Sequence, residues 1–430
     1  MTTPEGSSAS AVDDQDPTAA PTPQYAAAGT LTARQYAGAA WQRIKGGDTG
    51  VLPVVAGLLL VSILFQSQNE NFLTVANMVN LLVQAAVFSL LAMGQVFALL
   101  LGEIDLSVGY VAGLAAVVMA TLARPSGSDW PWWAAIATAL LVAALIGLLQ
   151  GSLITRLGLP SFVVTLAGLL FWQGVMLRVL GEGGSILIQD DVINGIVSSN
   201  LSPLAGWIVM LAVVGAYAFL TWTRDARRRG SGLTAPPNSI TLLKIGAALA
   251  AGVALMLIFN TDRGRVSPVV GMPYVVLVIL GVVIAWTFIL TRTKFGRYIY
   301  AIGGNAEAAR RAGIPLARIR TAAFVLCTFT AGIAGIVLAS RLRSISPAVD
   351  GGTLVLYSVA AAVIGGTSLF GGRGKAIHGV LGGIVMAAIF NGMGLLGLQA
   401  AVQYMVTALV LLVAVIIDAL SRRGQSVAAR

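Results

Sequence analysis

Long apolar runs separated by short polar breaks dominate the chain from residue 51 onward. The runs cover 51–66, 75–101, 107–123, 130–154, 161–180, 204–222, 240–260, 272–291, 321–340, 353–370, 376–396 and 401–420. Most approach the ~20 residues that a helix needs to cross the hydrocarbon of a bilayer. Two are short, 51–66 and 353–370. The second contains Gly365-Gly366 and ends in Gly371-Gly372, which predicts a broken helix. The pattern predicts an all-α polytopic membrane protein of about twelve transmembrane segments.

Composition agrees. Hydrophobic residues make up 57% of the chain and charged residues 10%, against about 25% charged in soluble domains. Mean hydropathy is +0.86. A water-soluble fold needs a charged surface, and lipid as the solvent removes that need. The fifty glycines suit close helix contacts in a membrane. Residues 1–48 differ: Pro4, Pro17, Pro21 and Pro23 punctuate a stretch poor in bulky apolar residues. It reads as a disordered tail with a short amphipathic piece at 36–44 and no cleaved signal. Residues 49–421 form the membrane domain, and 422–430 read as a second tail.

Charge sets the orientation. Formal net charge is +10, but the basic residues stand in short runs between apolar segments and are not interleaved with stacking aromatics. Nucleic acid is therefore excluded as a partner. With the amino terminus inside and every segment crossing once, the inside receives Arg156, Arg224, Arg227, Arg228, Arg229, Lys244 and the group from Arg292 to Arg320. It also receives Arg373, Lys375, Arg422 and Arg423. The outside receives Arg124, Arg178, Arg263, Arg265, Arg341 and Arg343, with most of the acids. This asymmetry places both termini in the cytoplasm.

The cytoplasmic loop 292–320 carries a punctuated short helix. Asn305 suits the N-cap, Glu307 the first turn and Arg310 and Arg311 the last. Gly313 suits a left-handed stop and Pro315 bars continuation. A helix of about two turns is marginal in water. It is held either by a docked partner or by packing on its own protein.

Chemistry is otherwise sparse. Cys327 and His378 stand alone of their kinds, so no disulfide, redox pair or metal site is expected. No Ser/His/Asp set or paired carboxylates mark a catalytic site, and none is expected. The stretch 371–376 lacks the spacing of a phosphate loop, so the chain is not expected to bind ATP. Glu103 and Asp105 fall at a helix boundary, where Asp105 or Ser107 suits a cap. Gly147/Gly151 and Gly379/Gly383 read as close helix contacts within the subunit. Gln84, Gln95, Gln150, Gln173, Asn391 and Gln403 are amides inside apolar runs. They can bond a neighbouring helix or a sugar hydroxyl; for a pathway the candidates are Gln95 and Asn391, then Gln84 and Gln173.

Five stretches, in order, resemble one family. Glu307-Ala308-Ala309, three residues, then Gly313 resembles the coupling loop of ATP-binding-cassette importer permeases, within KFGRYIYAIGGNAEAARRAGI. Gly102 to Gly109, with Glu103, Asp105 and Ser107, resembles a GG-IDLSVG stretch of ribose- and xylose-type permeases. The stretch 361–374, with Gly365 and Gly366, resembles their AAVVIGGTSLxGGxG. Those from Asn391 to Gly397 and from Asn71 to Asn77 resemble two more. Where the family commonly reads YELDAIAA, this chain has Val355, Leu356, Tyr357 and Ser358.

The resemblance implies a ten-helix type II importer-like core with an extra hairpin at 204–260, as in xylose-type permeases. It implies translocation of a monosaccharide, a pentose such as xylose favoured. Asn305, Glu307, Ala308, Ala309, Arg310, Arg311 and Gly313 would seat in a cytoplasmic ATP-binding subunit, which alone holds ATP and Mg. An extracytoplasmic sugar-binding protein, a second permease copy and membrane lipid are the other implied partners. Alternatives are a permease for nucleosides or branched-chain amino acids, and a stand-alone secondary transporter. The last would need ionisable groups at membrane depth.

Overall fold

A computed structural model describes residue 38 and residues 52–233, 235–264 and 267–428. The expected tail at 1–48 and the amphipathic piece at 36–44 lie outside the described residues, Gly38 apart, as does Arg265. The described chain is helical almost throughout: α1 (Leu52–Gln68), α2 (Val75–Leu100), α3 (Val108–Leu122), α4 (Trp132–Arg156), α5 (Ser161–Leu180), α6 (Asp191–Ser198), α7 (Pro203–Gly230), α8 (Asn238–Asn260), α9 (Tyr274–Arg292), α10 (Lys294–Gly304), α11 (Ala306–Arg311), α12 (Leu316–Leu342), α13 (Gly351–Ile364), α14 (Ala376–Leu395) and α15 (Ala400–Ala428). Two short strands, β1 (Ile186–Leu187) and β2 (Ser344–Ile345), pair antiparallel.

Among the described residues, eight helices are long and apolar enough to cross a bilayer: α2, α4, α5, α7, α8, α9, α12 and α14. The helices α1, α3 and α13, and the stretch Ala400–Ile416 of α15, are shorter apolar pieces. Prolines fix several starts. Pro131, Pro160, Pro237, Pro273 and Pro315 stand at N-cap positions and Pro203 at the first turn. There a missing N–H costs nothing, because the first amides of a helix have no partner within it.

Three elements differ from the reading of the sequence. Helices α6 and α10 lie in stretches read as loops, and α15 continues to Ala428 through most of the expected tail. Helix α13 stops at Ile364, and Gly366, Gly371 and Gly372 take left-handed conformations in the irregular stretch that follows.

The centre of the bundle is α2, α12 and α14, the best-buried of the eight long apolar helices. Lipid supplies no hydrophobic drive between helices, so contact depends on small residues that let backbones approach. A Cβ at Gly147 would meet Thr328 and Phe324 of α12, and one at Gly151 would meet Thr321. In the same way Gly379 faces Met93 of α2 and Gly383 faces Ser89. The two most extensive helix contacts are thus α2 on α14 and α12 on α4.

This pairing belongs to a repeat. The run α2–α5 and the run α12–α15 each begin with a long helix and continue with a short one. In the first run the short helix packs on both later helices. The second repeats this: α13 packs on α14 and α15 as α3 does on α4 and α5. The two runs cross in opposite directions, which is the inverted-repeat plan common among transporters. Their short helices meet where Gly109 of α3 lies against Gly351 of α13.

Helices α7 and α8 lie at the rim. Only 11% of the most apolar window of each is covered. They hold a small core of their own, formed by Val79, Met210, Met256, Phe259 and Met272.

Candidate functional site

The two ends of the bundle are defined by which connections touch. At one end β1 meets β2, Asn69 donates to the Leu395 carbonyl at 3.0 Å, and Leu201 N–H donates to Met272 at 2.8 Å. At the other end the Gly372 amide donates to the Leu100 carbonyl at 2.9 Å. There too Tyr300 donates to the Gly374 carbonyl at 2.6 Å, and Arg320 pairs with Glu103 at 2.5 Å. Most described arginines and lysines belong to this second, basic end.

Helix α11 projects from the basic end. The Asn305 side chain accepts from the Ala308 amide at 2.9 Å, so one orphan donor is capped. At the other terminus Ile314 N–H reaches the Ala309 carbonyl at 3.1 Å and Gly313 N–H reaches Arg310 at 3.0 Å. Gly313 sits at φ +77°. This is a Schellman stop, which needs a residue free to adopt the left-handed region. Glu307 pairs with Arg310 at 2.7 Å and Arg311 at 3.1 Å, and all three side chains are at least half exposed. Ala309 is buried and Ala308 is exposed. The helix therefore presents a charged, ordered outer face on a small apolar foot.

Its support is α10. Thr293 caps α10 by accepting from Gly296 N–H at 3.2 Å. Gly296 itself lies on the Leu290 carbonyl, so the chain turns sharply from α9. Ile299 and Ile302 are buried on the inner face. Gly303 lies against the Leu100 carbonyl and the Gly372 amide. Burial pushes the Tyr300 phenol up, so it stays the protonated donor to Gly374. Helix α10 is thereby clamped to the end of α2 and to the loop between α13 and α14. Gly102 in turn faces the Phe370 carbonyl, which a Cβ at this position would meet. Three stretches singled out in the sequence thus converge: 102–109, 361–374 and the short helix with its lead-in.

The segment between α2 and α3 does not stay at the boundary. Asp105 and Ser107 have no exposed surface. Ser107 occupies the N-cap position of α3, yet neither side chain caps that helix. Asp105 Oδ1 instead accepts from the Ser107 amide at 2.8 Å and the Ser107 hydroxyl at 2.6 Å. Gln150 Nε2 of α4 donates to Ser107 Oγ at 3.0 Å. Cys327 of α12 lies beside the Asp105 carboxylate and approaches Gln95 Oε1 at 3.7 Å. The chain therefore re-enters the bundle after Leu100, and Asp105 lies level with Gln95, inside rather than at the edge. Asp105 Oδ2 and Gln95 Nε2 are buried without a hydrogen-bond partner.

The other amides lie apart from this cluster. Asn391 exchanges two hydrogen bonds with Asn77, at 2.8 and 3.0 Å. Gln84 is buried with its carbonyl oxygen unpartnered. Gln173 is half-buried on α5.

A cleft missed in the sequence lies elsewhere, between α13 and α15. It holds about 750 Å3 and is lined on one side by Asp350, Thr353, Leu356 and Tyr357, on the other by Tyr404, Thr407 and apolar residues of α15. Asp350 caps α13 by accepting from the Thr353 amide at 3.2 Å. The spacing of Asp350, Thr353 and Tyr357 is that of one helix face and was the signal available.

Comparison with known proteins places this arrangement. The family described as "Branched-chain amino acid transport system / permease component" matches residues 77–415. The xylose transport system permease protein XylH of Escherichia coli (strain K12) is 34% identical over 381 residues, covering 88% of this chain and 94% of that protein. The ribose import permease protein RbsC of the same organism is 28% identical, covering 90% and 98%. Its D-allose transport system permease protein AlsC is 29% identical, covering 84% and 89%. No solved structure matches. The chain is a multi-pass membrane protein and belongs to this permease family, together with the xylose, ribose and allose permeases.

Proposed function

We propose that this chain is the membrane-spanning subunit of an ATP-driven importer of a monosaccharide, with a pentose such as xylose favoured. The observation that carries the proposal is α11: a doubly capped six-residue helix whose charged face is ordered without any visible internal need. An isolated helix that short does not hold itself, and here both caps and the α10 clamp hold its shape for a partner. The basic end that bears it is the cytoplasmic side. Asn305, Glu307, Ala308, Ala309, Arg310, Arg311 and Gly313 form the surface offered to an ATP-binding subunit, which brings ATP and Mg. Closure of that subunit moves α11 and α10, and through the Leu100 and Gly372 contacts it moves α2 and the α13–α14 loop.

A sugar-binding protein delivers substrate at the opposite end, and a second copy of the chain completes the path. The cleft of α13 and α15 offers hydroxyls, two tyrosine rings and Asp350, chemistry that suits a neutral polyhydroxylated ligand. Gln95, Gln84, Gln173 and Asn391 remain candidates for that path. Of these, Gln95 would need α2 and α12 to part before it could meet a sugar. A permease for nucleosides or branched-chain amino acids would share the same coupling surface.

Glu307→Arg tests the reading. It breaks both ion pairs of α11 on a face away from the core. Membrane level should stay normal while ATP-dependent sugar uptake into cells falls at least about tenfold, as losing a charge-assisted contact implies. Unaltered uptake by this variant would remove the docking role. Buried Asp105 is a feature that an ion-driven carrier would share, so dissipating the ion gradient at constant ATP separates the two. Uptake that stops with the gradient overturns the proposal.

A further inference from the structure

A second groove, of about 710 Å3, opens at the basic end between α4, the junction of α9 and α10, and the start of α12. Leu148, Phe295, Val325 and Leu326 give it an apolar wall, beside the hydroxyls of Ser152, Thr155, Thr293 and Thr321. Arg156 and Arg318 stand among its lining residues, and both are exposed. No acid lines the groove. Three other arginines of this end are engaged: Arg310 and Arg311 hold Glu307, and Arg320 holds Glu103. Among the described residues neither Arg156 nor Arg318 forms an ion pair. Arg156 lies in the last turn of α4 and Arg318 in the first turn of α12. Both positions fall where a helix leaves the hydrocarbon. Leu145 and Leu149, beside the groove on α4, are half exposed, so this flank faces lipid.

We infer that the groove is a binding site for one anionic phospholipid, with an acyl chain along Leu148, Val325 and Leu326 and the phosphate between Arg156 and Arg318. Two unpaired cations at the mouth of an apolar slot complement a ligand with an anionic head and a hydrocarbon tail. Basic pockets between membrane helices on the cytoplasmic side bind such headgroups. A zwitterionic lipid fills the slot equally well but leaves its own cation beside the two arginines. The site matters for coupling, because its floor is the first turns of α12, which follow α11 directly and carry Arg320. The inference stands on the groove and the bilayer, and does not depend on which solute is carried.

The full chain in detergent, titrated with phosphatidylglycerol or phosphatidylcholine and read by native mass spectrometry, tests this. Two arginines near the headgroup predict a preference for phosphatidylglycerol of roughly tenfold to thirtyfold. Arg156→Gln with Arg318→Gln should bring the two lipids to near parity. Ala322→Phe, which fills the groove and keeps both cations, should lower retention of both lipids. Equal retention by the unmodified chain, or a preference that survives the double substitution, overturns the site. So does saturation by inorganic phosphate with no effect of Ala322→Phe, which would mark a free-anion site. Should the double variant misfold, Ala322→Phe alone still decides whether a lipid tail occupies the groove.

Discussion

Arg320 shows how a single side chain ties the inner end together. It reaches from the start of α12 to Glu103 at 2.5 Å, and the Glu103 side chain keeps only 11% of its surface. Arg320 takes Oε1, and the other Glu103 oxygen, Oε2, is buried with no hydrogen-bond partner. Removing the arginine leaves a buried carboxylate uncompensated, which costs roughly 3 kcal/mol in buried pairs. Arg320 is itself about a third exposed, so the cost belongs at the low end of that range. Arg320→Ala should lower the melting temperature of the detergent-solubilised chain by several degrees. Adding Glu103→Gln should recover most of the loss, because the charge that needed a partner is gone. If the double substitution is no better than the single one, the pair is not what holds α12 to the α2–α3 segment. Nothing in the sequence joins these two residues, which stand more than two hundred positions apart and meet only because α2 and α12 pack antiparallel.

At the scale of the element, α11 was the most legible part of the chain, because its start, stop and charge pattern are all local. Asn305 caps where its residue type says it should, and Gly313 takes the left-handed turn that Pro315 makes necessary. Replacing Asn305 by Ala removes a cap worth about 1 kcal/mol. Amide hydrogen exchange across Ala306–Arg311 should then quicken about fivefold, with α12 unchanged. Asn305→Asp, which keeps the acceptor, should exchange like the unmodified chain; exchange that does not respond to Asn305→Ala would mean that packing alone sets the helix.

Other elements were hidden for physical reasons. Helix α6 has a good cap in Asp190, whose carboxylate accepts from Val192 and Ile193. At eight residues it is too short for periodicity to separate it from a loop. The position of Asp105 was hidden more deeply. A carboxylate between two apolar runs reads as a boundary residue, and only the tertiary fold turns the chain back inward there. The cleft of α13 and α15 was half legible at best: Asp350, Thr353 and Tyr357 mark one wall by their spacing, but the other wall lies beyond α14 and meets it through packing alone.

For the whole molecule, the inverted pairing of α2–α5 with α12–α15 explains why the rim hairpin is tolerable. The core is closed by the contacts of those two runs, and α7 and α8 lie outside them. The insertion also begins and ends at one place. Leu201 N–H donates to Met272, Tyr274 N–H donates to Ser199 at 3.1 Å, and Asn200 bridges Pro273. Excising 202–271 and joining the flanks through a short turn therefore asks for no movement of α6 or α9. It removes two crossings together, so every later segment keeps its direction. The main loss is cover over Val79 and Leu82 of α2, which pack against the hairpin's own small core, and lipid can replace that cover. The excised chain should insert at near-normal level, with a reporter fused after residue 428 on the same side of the membrane as in the full chain. Removing α8 alone should instead invert everything downstream or abolish insertion. A reporter that switches sides in the paired excision would show that the hairpin does not cross twice, and the parity behind the assignment of the basic end would fail with it.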